Sequence, residues 1–432
     1  MDSTYTMNID RLNDDCLMNI FEFLPIADRF RAEMVCKRWH QICNLLWNSH
    51  RRFDINDEYL HLGRSKKFIN YGLLKQILEK CAPHIVDVNL SKIPKKSQKI
   101  LFDPVICKET VQFGTFDNIS QELKRLLLKC SNIEELTLDS NMVRIDKAFL
   151  SRLLWRNRKL RFLRIEGYDL RGKGSFRIRY NNLETLIILA CQVDVGFLDL
   201  QSLRESSKMK NLCLVGVFRG LTEVEQILPK NLVQLHLNIS SYYIHIPSVI
   251  AETINLRELK ILSIGHPALN DDVIGNLTQH CKNLMAIDLT GCDYVTDVGL
   301  RQLNSSLPNL ICLNLNWDNR FTDAGLRNVN KKLRVLVAVE NQFTDGCIER
   351  VLQEAQFLEK LDLGKCINVT EKIVRSAINI MLARAANNNS TPMEIGLYRN
   401  GLRVAEIENP CPLLKFSTRN YLGVDYSYFI DL

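Results

Sequence analysis

The chain has 432 residues and a formal net charge of +7, and 46% of its residues are hydrophobic, with only 11 prolines and 19 glycines. This balance is typical of a folded, loop-poor protein and excludes a low-complexity or collagen-like chain. The charge is modest for the length, so it is compatible with acidic partners without requiring nucleic acid. The 14 cysteines include no C-x-x-C pair, which disfavours a zinc knuckle or a redox motif.

Targeting and membrane signals are not expected from the sequence. Residues 1–10 are polar and lack an apolar stretch, so we predict no signal peptide. The longest apolar run, 186–191, is far too short to span a bilayer. Because the cysteines are expected to be small buried residues in a reducing compartment, we predict an intracellular protein of the cytoplasm, the nucleus or both, with no membrane partner.

The segment 8–50 has the pattern of three short helices. An apolar stripe on the first helix, which Pro25 ends, runs at i, i+3, i+4 and i+7 through Leu17, Ile20, Phe21 and Leu24. The second and third helices contain residues 27–43 and the following Leu46-Trp47. About forty residues rarely build an adequate core alone, so this segment is expected to need a partner surface.

This segment resembles an F-box. The resemblance is carried by the pattern L-x4-L-x2-I-F-x2-L-P from Leu12 to Pro25, by V-C-K-R-W at 35–39 and by the closing L-L-W at 45–47. One departure is Asn13, where the family usually has proline. The resemblance implies that a Skp-family adaptor docks on a surface formed by Leu12, Leu17, Ile20, Phe21, Leu24, Val35, Lys37, Trp39 and Trp47.

The remainder of the chain repeats a strand–turn–helix unit. In residues 284–303 an L-x-x-L-x-L strand is followed by Cys292 at the turn, and Thr296-Asp297 then begin a helix. The second leucine of this strand recurs every 23–27 residues from Leu136 to Leu361, as expected for leucine-rich repeats. Further units are predicted at Val88 and Ile395, with a degenerate unit near 111–113 and a last strand near 413–416.

Two other positions recur in step with the strands. The turn position holds a short side chain that can satisfy backbone groups, at Asn141, Cys191, Cys292, Asn341, Cys366 and Asn400. Further helix starts are predicted at Thr222, Asn270, Thr322, Thr344 and Thr370. Since one unit cannot bury both of its apolar faces, the units must stack on one another.

We therefore predict an α/β repeat solenoid, a leucine-rich-repeat horseshoe with parallel strands on its concave face and helices on its convex face, preceded by a small all-α F-box domain. The predicted boundaries are 8–50 for the F-box domain, 51–80 for a helical linker, 81–402 for a solenoid of about 12 repeats, and 403–432 for a last repeat or C-terminal cap.

Side chains at the third and fifth strand positions are expected on the concave face. They mix polar, apolar and charged types, as a docking surface does, and contain no plausible catalytic dyad. We predict no catalytic, cofactor-binding or metal-binding residue, and a protein substrate contacted by Phe162, Arg164, Gln234, His236, Asn314 and Trp317. Trp317 fits a core-filling role equally well. The basic run 152–179 fits a solvated face first, then an acidic or phosphorylated partner, then nucleic acid.

Proteins of this architecture are substrate receptors of cullin-RING ubiquitin ligases. The resemblance implies a non-catalytic subunit whose F-box docks the Skp adaptor, and through it a cullin and a RING subunit, while the repeats hold the protein to be ubiquitinated. One alternative is a Skp-binding scaffold without a ligase role. The other is a plain leucine-rich-repeat interaction module whose N-terminus is only a cap. Nucleic acid is disfavoured as a partner.

Overall fold

The computed structural model describes residues 9–54, 71–91, 121–140, 146–171, 178, 180–194, 200–219, 228–239, 257–264, 269–316, 321–400, 402 and 408–418. The chain divides into two compact units. The first unit comprises Met1–Lys95 with Phe113–Arg164, and the second comprises Lys96–Gln112 with Ile165–Leu432.

The first unit begins with three short helices. A 3-10 turn, Ile9–Arg11, precedes α1 (Asp14–Glu22), α2 (Ile26–Glu33) and α3 (Lys37–Ser49). Asn13 caps α1, since its side-chain oxygen accepts a hydrogen bond from the Cys16 amide at 2.8 Å. Pro25 separates α1 from α2, as its missing N–H and fixed φ predict. The shared core of this bundle contains Leu17, Phe21, Ala32, Ile42, Cys43 and Leu46.

The first unit continues with parallel strands and intervening helices. The strands are β1 (Arg52–Asp54), β2 (Asp87–Leu90), β3 (Glu135–Asp139) and β4 (Phe162–Glu166), whose last two residues lie in the second unit. The helices are α4 (Tyr71–Cys81), followed by a 3-10 turn at Ala82–His84, α5 (Gln121–Leu127) and α6 (Lys147–Arg156). Strands β1, β2 and β3 pair in parallel, with Phe53, Val88 and Leu136 in one row.

The segment 51–80, predicted as a helical linker, therefore needs a correction. It begins with a strand of the sheet, β1, before the helix α4. Phe53 on this strand is 2% exposed and packs in the same row as the repeat leucines. The strand β1 could not be recognised in the sequence, because a single apolar residue between Arg52 and Asp54 does not form the L-x-x-L-x-L motif.

The second unit is a longer series of parallel strands. Its strands are β5 (Asp169–Leu170), β6 (Thr185–Asp194), β7 (Asn211–Arg219), β8 (Gln234–Ile239), β9 (Ile261–Ile264), β10 (Ala286–Asp288), β11 (Cys312–Asn314), β12 (Val335–Val337), β13 (Lys360–Asp362), β14 (Met393–Gly396) and β15 (Leu414–Ser417). Its described helices are α7 (Leu200–Arg204), α8 (Asp271–His280), α9 (Asp297–Ser306), α10 (Asp345–Glu354) and α11 (Glu371–Ala386). From β6 to β15 each strand pairs in parallel with the next, and β5 pairs with β6.

The register of these strands confirms the repeat assignment. The predicted second leucines align in one row and are buried: Leu186, Leu212, Leu235, Leu262, Ile287, Leu313, Leu336, Leu361 and Ile395. The last strand predicted near 413–416 is β15. The chain is an α/β repeat solenoid with a helical domain before it. The degenerate unit predicted near 111–113 lies outside the described residues.

The turn positions have the predicted role. The Cys366 thiol donates to the carbonyl of Ala338 at 3.0 Å, and the side-chain amide of Asn341 donates to the carbonyl of Leu315 at 2.7 Å. Asn400 makes the same bond to Leu363 at 2.9 Å. Each short side chain therefore satisfies a carbonyl of the preceding unit, which fixes the distance between neighbouring turns. Asn141 lies outside the described residues.

A carboxylate ladder links the starts of successive helices. The Asp271 carboxylate accepts hydrogen bonds from the backbone N–H and the hydroxyl of Thr296, at 2.9 and 2.6 Å. The same pair of bonds recurs from Asp297 to Thr322, from Asp323 to Thr344 and from Asp345 to Thr370. Each aspartate thus anchors the threonine of the next unit, and at Thr296 and Thr370 the hydroxyl also caps the following helix by accepting the backbone N–H of Val298 and Lys372.

One predicted helix start is wrong. The residues after Thr322 form turns and not a helix. The interval from Leu313 to Leu336 is 23 residues, shorter than the 25–26 residues of the units that carry α8, α9 and α10 nearby. Too few residues therefore remain between β11 and β12 for a full helix. Thr222 lies outside the described residues.

Candidate functional site

Exposed apolar side chains concentrate in the N-terminal helices. Phe23, at the end of α1, is 88% exposed, and Met34 and Val35, in the turn between α2 and α3, are 80% and 61% exposed. Ile20 and Leu45 are also exposed. Apolar surface left in water costs about 25 cal/mol per Å², so this grouping is suited to burial by a partner protein.

The predicted adaptor-binding residues differ in how far their side chains are exposed to solvent. Ile20, Val35 and Lys37 are exposed, and Leu12, Leu24 and Trp39 are partly buried. Leu17, Phe21 and Trp47 are at most 1% exposed, so the prediction that these three lie on the surface is wrong. Leu17 and Phe21 belong to the core of the bundle, and Trp47 is buried against the ring of Phe30. All three therefore support the surface from below.

Two exposed residues were missed by the sequence reasoning. Phe23 and Met34 lie outside the motif positions that carry the F-box resemblance, and the predicted residues were taken from those positions. An apolar residue on the polar side of an amphipathic helix was the signal that could have identified them.

Aromatic packing and polar contacts fix the geometry of the bundle. The rings of Phe21 and Trp39 lie 4.7 Å apart between centroids, as do those of Phe30 and Trp47. The guanidinium of Arg38 donates to the Asp14 carboxylate at 2.8 Å, joining the start of α3 to the start of α1. These contacts hold the turn that presents Met34 and Val35 in one conformation.

A buried carboxylate connects the bundle to the first repeat helix within the first unit. Glu33, at the end of α2, accepts a hydrogen bond from the indole N–H of Trp47. Its carboxylate also forms a salt bridge with the Lys80 ammonium of α4 at 2.8 Å. The Glu33 side chain is only 7% exposed and that of Lys80 is 30% exposed. The buried part of this contact is the indole hydrogen bond to a charged acceptor, and the partly solvated Lys80 adds the link to α4, so α2, α3 and α4 meet at one point.

The predicted substrate contacts lie mostly inside the molecule. Arg164, Gln234 and Asn314 are at most 1% exposed, whereas Phe162 and His236 are partly exposed. Direct substrate contact by the three buried side chains is therefore contradicted by this structure. Although part of the His236 residue is exposed, its ring nitrogen Nδ1 is buried, and this desolvation lowers the pKa of the imidazole to about 4, so the ring is neutral at physiological pH. Trp317 lies outside the described residues.

Polar residues at the fifth strand position have a local structural role instead. The side-chain oxygens of Asp288, Asn314 and Asp362 accept hydrogen bonds from the backbone N–H two residues later, at 2.9, 3.2 and 3.0 Å. In the first unit Asn89 makes the same contact with Ser91 at 3.1 Å. These side chains close the turn after each strand, which explains why short carbonyl-bearing residues recur there.

Most of the described thiols are buried. Of the thirteen described cysteines only Cys16 and Cys36 are exposed. Burial raises the pKa of Cys81, Cys191 and Cys347 to about 12, so these thiols stay protonated. Within the described ranges, no group of three or more His, Cys, Asp or Glu side chains could hold a metal ion. No helix in the described part of the chain is long and apolar enough to cross a bilayer.

Comparison with known proteins agrees with the helical bundle. Residues 9–51 match the family model of the F-box domain. Over 71 residues the chain is 32% identical to F-box/LRR-repeat protein 21 of Mus musculus, and equally to that of Bos taurus. Each match covers 16% of this chain and 15% of the relative, so the chain matches only a small part of the curated relatives' length.

Two solved structures match parts of the chain at low identity. Rad7 in its complex with Elc1 from yeast is 15% identical with a TM-score of 0.42, covering 71% of this chain and 80% of that chain. Internalin C2 of Listeria monocytogenes is 22% identical with a TM-score of 0.25, covering 35% of this chain and 70% of that chain. At these scores neither likeness adds to the strand register described above. The chain therefore carries an F-box domain at residues 9–51 ahead of a repeat solenoid of the leucine-rich type.

Proposed function

We propose that this protein is the substrate-recognition subunit of a Skp-cullin-F-box ubiquitin ligase. The observation that carries the proposal is the F-box domain with its exposed apolar side chains, above all Phe23, Met34 and Val35. In this proposal the F-box docks a Skp-family adaptor, which connects the chain to a cullin and a RING subunit. The repeats hold the protein to be ubiquitinated.

The adaptor contact would be dominated by the exposed and partly exposed apolar residues. Ile20, Phe23, Met34 and Val35 would enter the adaptor surface, with Leu12, Leu24 and Trp39 completing it and Lys37 at its rim. Leu17, Phe21 and Trp47 would act by keeping α1 and α3 in place. Buried apolar anchors at interfaces typically contribute about 2 kcal/mol or more each, so a few residues suffice for stable docking.

The protein would perform no bond chemistry. Its contribution would be proximity: a bound substrate lysine is held near a ubiquitin-charged conjugating enzyme, which raises the effective concentration of the two reactants. Such a role needs a fixed relation between the docking helices and the first repeat. The contact of Glu33 with Trp47 and Lys80 supports it, because it ties the F-box to α4. We place this activity in the cytoplasm, the nucleus or both.

Affinity capture of the full chain tests the proposal. We expect adaptor and cullin to co-purify with the wild-type chain and to be lost with Met34→Asp/Val35→Asp, since two charges would be buried at the interface. The matched control is Val298→Asp/Ile367→Asp, which alters two exposed apolar residues of the second unit and should retain both partners.

Three outcomes would contradict the proposal. Adaptor without cullin indicates a Skp-binding scaffold with no ligase role. A folded wild-type chain that captures no adaptor leaves only a repeat interaction module. Equal loss of partners with both double variants means that the docking turn has no special role.

A further inference from the structure

A row of basic side chains lies in the second unit on the side of the sheet where its strands begin, at their N-terminal ends. The residues belong to the turns that lead into β7, β8, β9 and β10, so they stand where four successive strands begin. We call this row the basic edge, and its members are Lys208, Lys210, Lys230, Arg257, Lys260 and Lys282. All are exposed except Lys260, which is partly buried.

Hydrogen bonds between neighbouring turns fix the spacing of the basic edge. The side-chain amide of Asn231 donates to the Ser207 carbonyl at 3.1 Å, and that of Asn283 donates to the Arg257 carbonyl at 2.9 Å. Adjacent parallel strands lie about 4.8 Å apart, so the row covers about 15 Å. That length equals four to five residues of an extended polypeptide at about 3.3 Å per residue.

The basic edge is not neutralised by the protein itself. The Lys208 ammonium donates to the side-chain oxygen of Asn182 at 2.8 Å, and the Lys282 ammonium donates to the carbonyl of Ser306 at 3.2 Å, both uncharged acceptors. Within the described residues none of the six forms a salt bridge. In a later repeat of the same unit Arg334, in the turn that leads into β12, pairs with Glu359.

A surface pocket adjoins one end of the basic edge. It has a volume of about 790 Å³ and lies between the end of α7 and the turn before β8. Arg204, Lys230 and Asn231 line it, together with Glu205 and neighbouring serines. The two cations of the pocket outnumber its one carboxylate, Glu205, so the lining has a net positive charge that can receive a carboxylate from a chain lying along the edge.

We propose that the basic edge binds an extended, Asp- and Glu-rich segment of a partner protein. Five of its six members are lysines. The basic edge therefore presents separate point charges and not a convergent group of arginine side chains. Spaced point charges match the side chains of an acidic segment, whereas a phosphate group is best held by several convergent donors. The site is independent of adaptor docking and goes beyond the proposed function.

Nucleic acid fits the basic edge less well. The described residues of these four turns include no exposed aromatic side chain on which a base could stack. The sequence pI of about 8.7 is also below the value above 9 that is typical of nucleic-acid-binding domains.

Fluorescence anisotropy tests this proposal with the purified full chain. The probe is a labelled ten-residue peptide of alternating Glu and Ser, in a buffer of low ionic strength. We expect saturable binding that weakens as salt is added, and Lys230→Glu/Arg257→Glu should weaken it by about tenfold or more. The matched control is Lys372→Glu/Arg375→Glu, the same charge change on exposed residues of α11, which should alter the affinity by less than about twofold.

Further arms of the experiment separate the alternatives. Met34→Asp/Val35→Asp should bind the peptide as the wild type does, so failure of adaptor docking and failure of this site are distinguishable. The proposal is overturned if the wild type does not bind the peptide, or if both charge-reversal variants lose affinity equally. It is also overturned if a single-stranded oligonucleotide, or a peptide with one phosphoserine in place of its glutamates, binds more tightly than the acidic peptide.

Discussion

The contact of Glu33 with α3 and α4 leads to a quantitative prediction about the F-box domain. Glu33→Ala removes the acceptor of the Trp47 indole N–H, and Trp47 is only 1% exposed. A buried donor left without a partner costs about 1–3 kcal/mol. Lys80 is 30% exposed and lies 3.4 Å from the side-chain oxygen of Asn44, so it can be resolvated at little cost. We therefore expect a local destabilisation of about 2 kcal/mol.

Glu33→Gln is the matched control for this prediction. Glutamine keeps a carbonyl oxygen for the Trp47 N–H and loses only the charge attraction to Lys80. Because the Lys80 ammonium is partly solvated, that loss should cost about 1 kcal/mol or less. The difference between alanine and glutamine therefore isolates the buried indole hydrogen bond from the ion pair.

Hydrogen exchange measured by mass spectrometry is the appropriate assay, since the chain has two units and a single unfolding transition is not expected. A loss of 2 kcal/mol corresponds to about thirtyfold faster exchange of the protected amides of α2, α3 and α4. Peptides from α9 and α10 should be unchanged. Equal effects of alanine and glutamine, or no change in α4, would exclude this stabilising role of Glu33.

Other measurements test separate parts of the account. Asp297→Ala removes both hydrogen bonds to Thr322, so it should destabilise residues 321–326 locally by about 1–2 kcal/mol, seen as faster hydrogen exchange there. Gly325→Ala should do the same, because its Cβ would lie 2.5 Å from that carboxylate oxygen; unchanged exchange in both variants would contradict the ladder. Burial lowers the pKa of His236 from 6.5 to about 4, so between these values the unfolded chain binds a proton that the folded chain does not. Thermal stability should consequently fall as the pH drops through this window, and His236→Gln should flatten the profile; an identical slope in the variant would exclude this residue as the cause. Among the described cysteines, only Cys16 and Cys36 should react with a thiol reagent at pH 8 before unfolding, checked by mass spectrometry of the labelled peptides, and labelling of Cys81 or Cys191 under native conditions would show that their burial is incomplete.

The repeat register could be predicted from the sequence because it follows from spacing alone. Buried leucines that recur every 23–27 residues leave one way to stack parallel strands, and the observed row from Leu186 to Ile395 is the predicted one. The turn residues were predictable for a similar reason, since Cys366 and Asn341 bond carbonyls at a fixed distance in the preceding unit. The strand leucines and the turn residues each have the same role in every repeat, so one sequence shows the pattern many times.

Exposure at individual positions could not be predicted in the same way. Strand periodicity assigns Arg164, Gln234 and Asn314 to one face of the sheet, but whether that face is open depends on what packs against it. Likewise, the apolar stripe of α1 identified Leu17 and Phe21 as important without showing that they face inward. The strand β1 escaped detection because three residues with one apolar side chain carry too little pattern.

We propose that the F-box surface docks a Skp-family adaptor. A binding isotherm between the two purified proteins measures this docking directly. Titration of the full chain with the adaptor by calorimetry should give a saturable one-to-one complex. Met34→Asp/Val35→Asp should weaken that complex by about thirtyfold or more, while Val298→Asp/Ile367→Asp should leave it unchanged. No binding by a folded wild-type chain, or undiminished binding by the Met34→Asp/Val35→Asp variant, would contradict the claim.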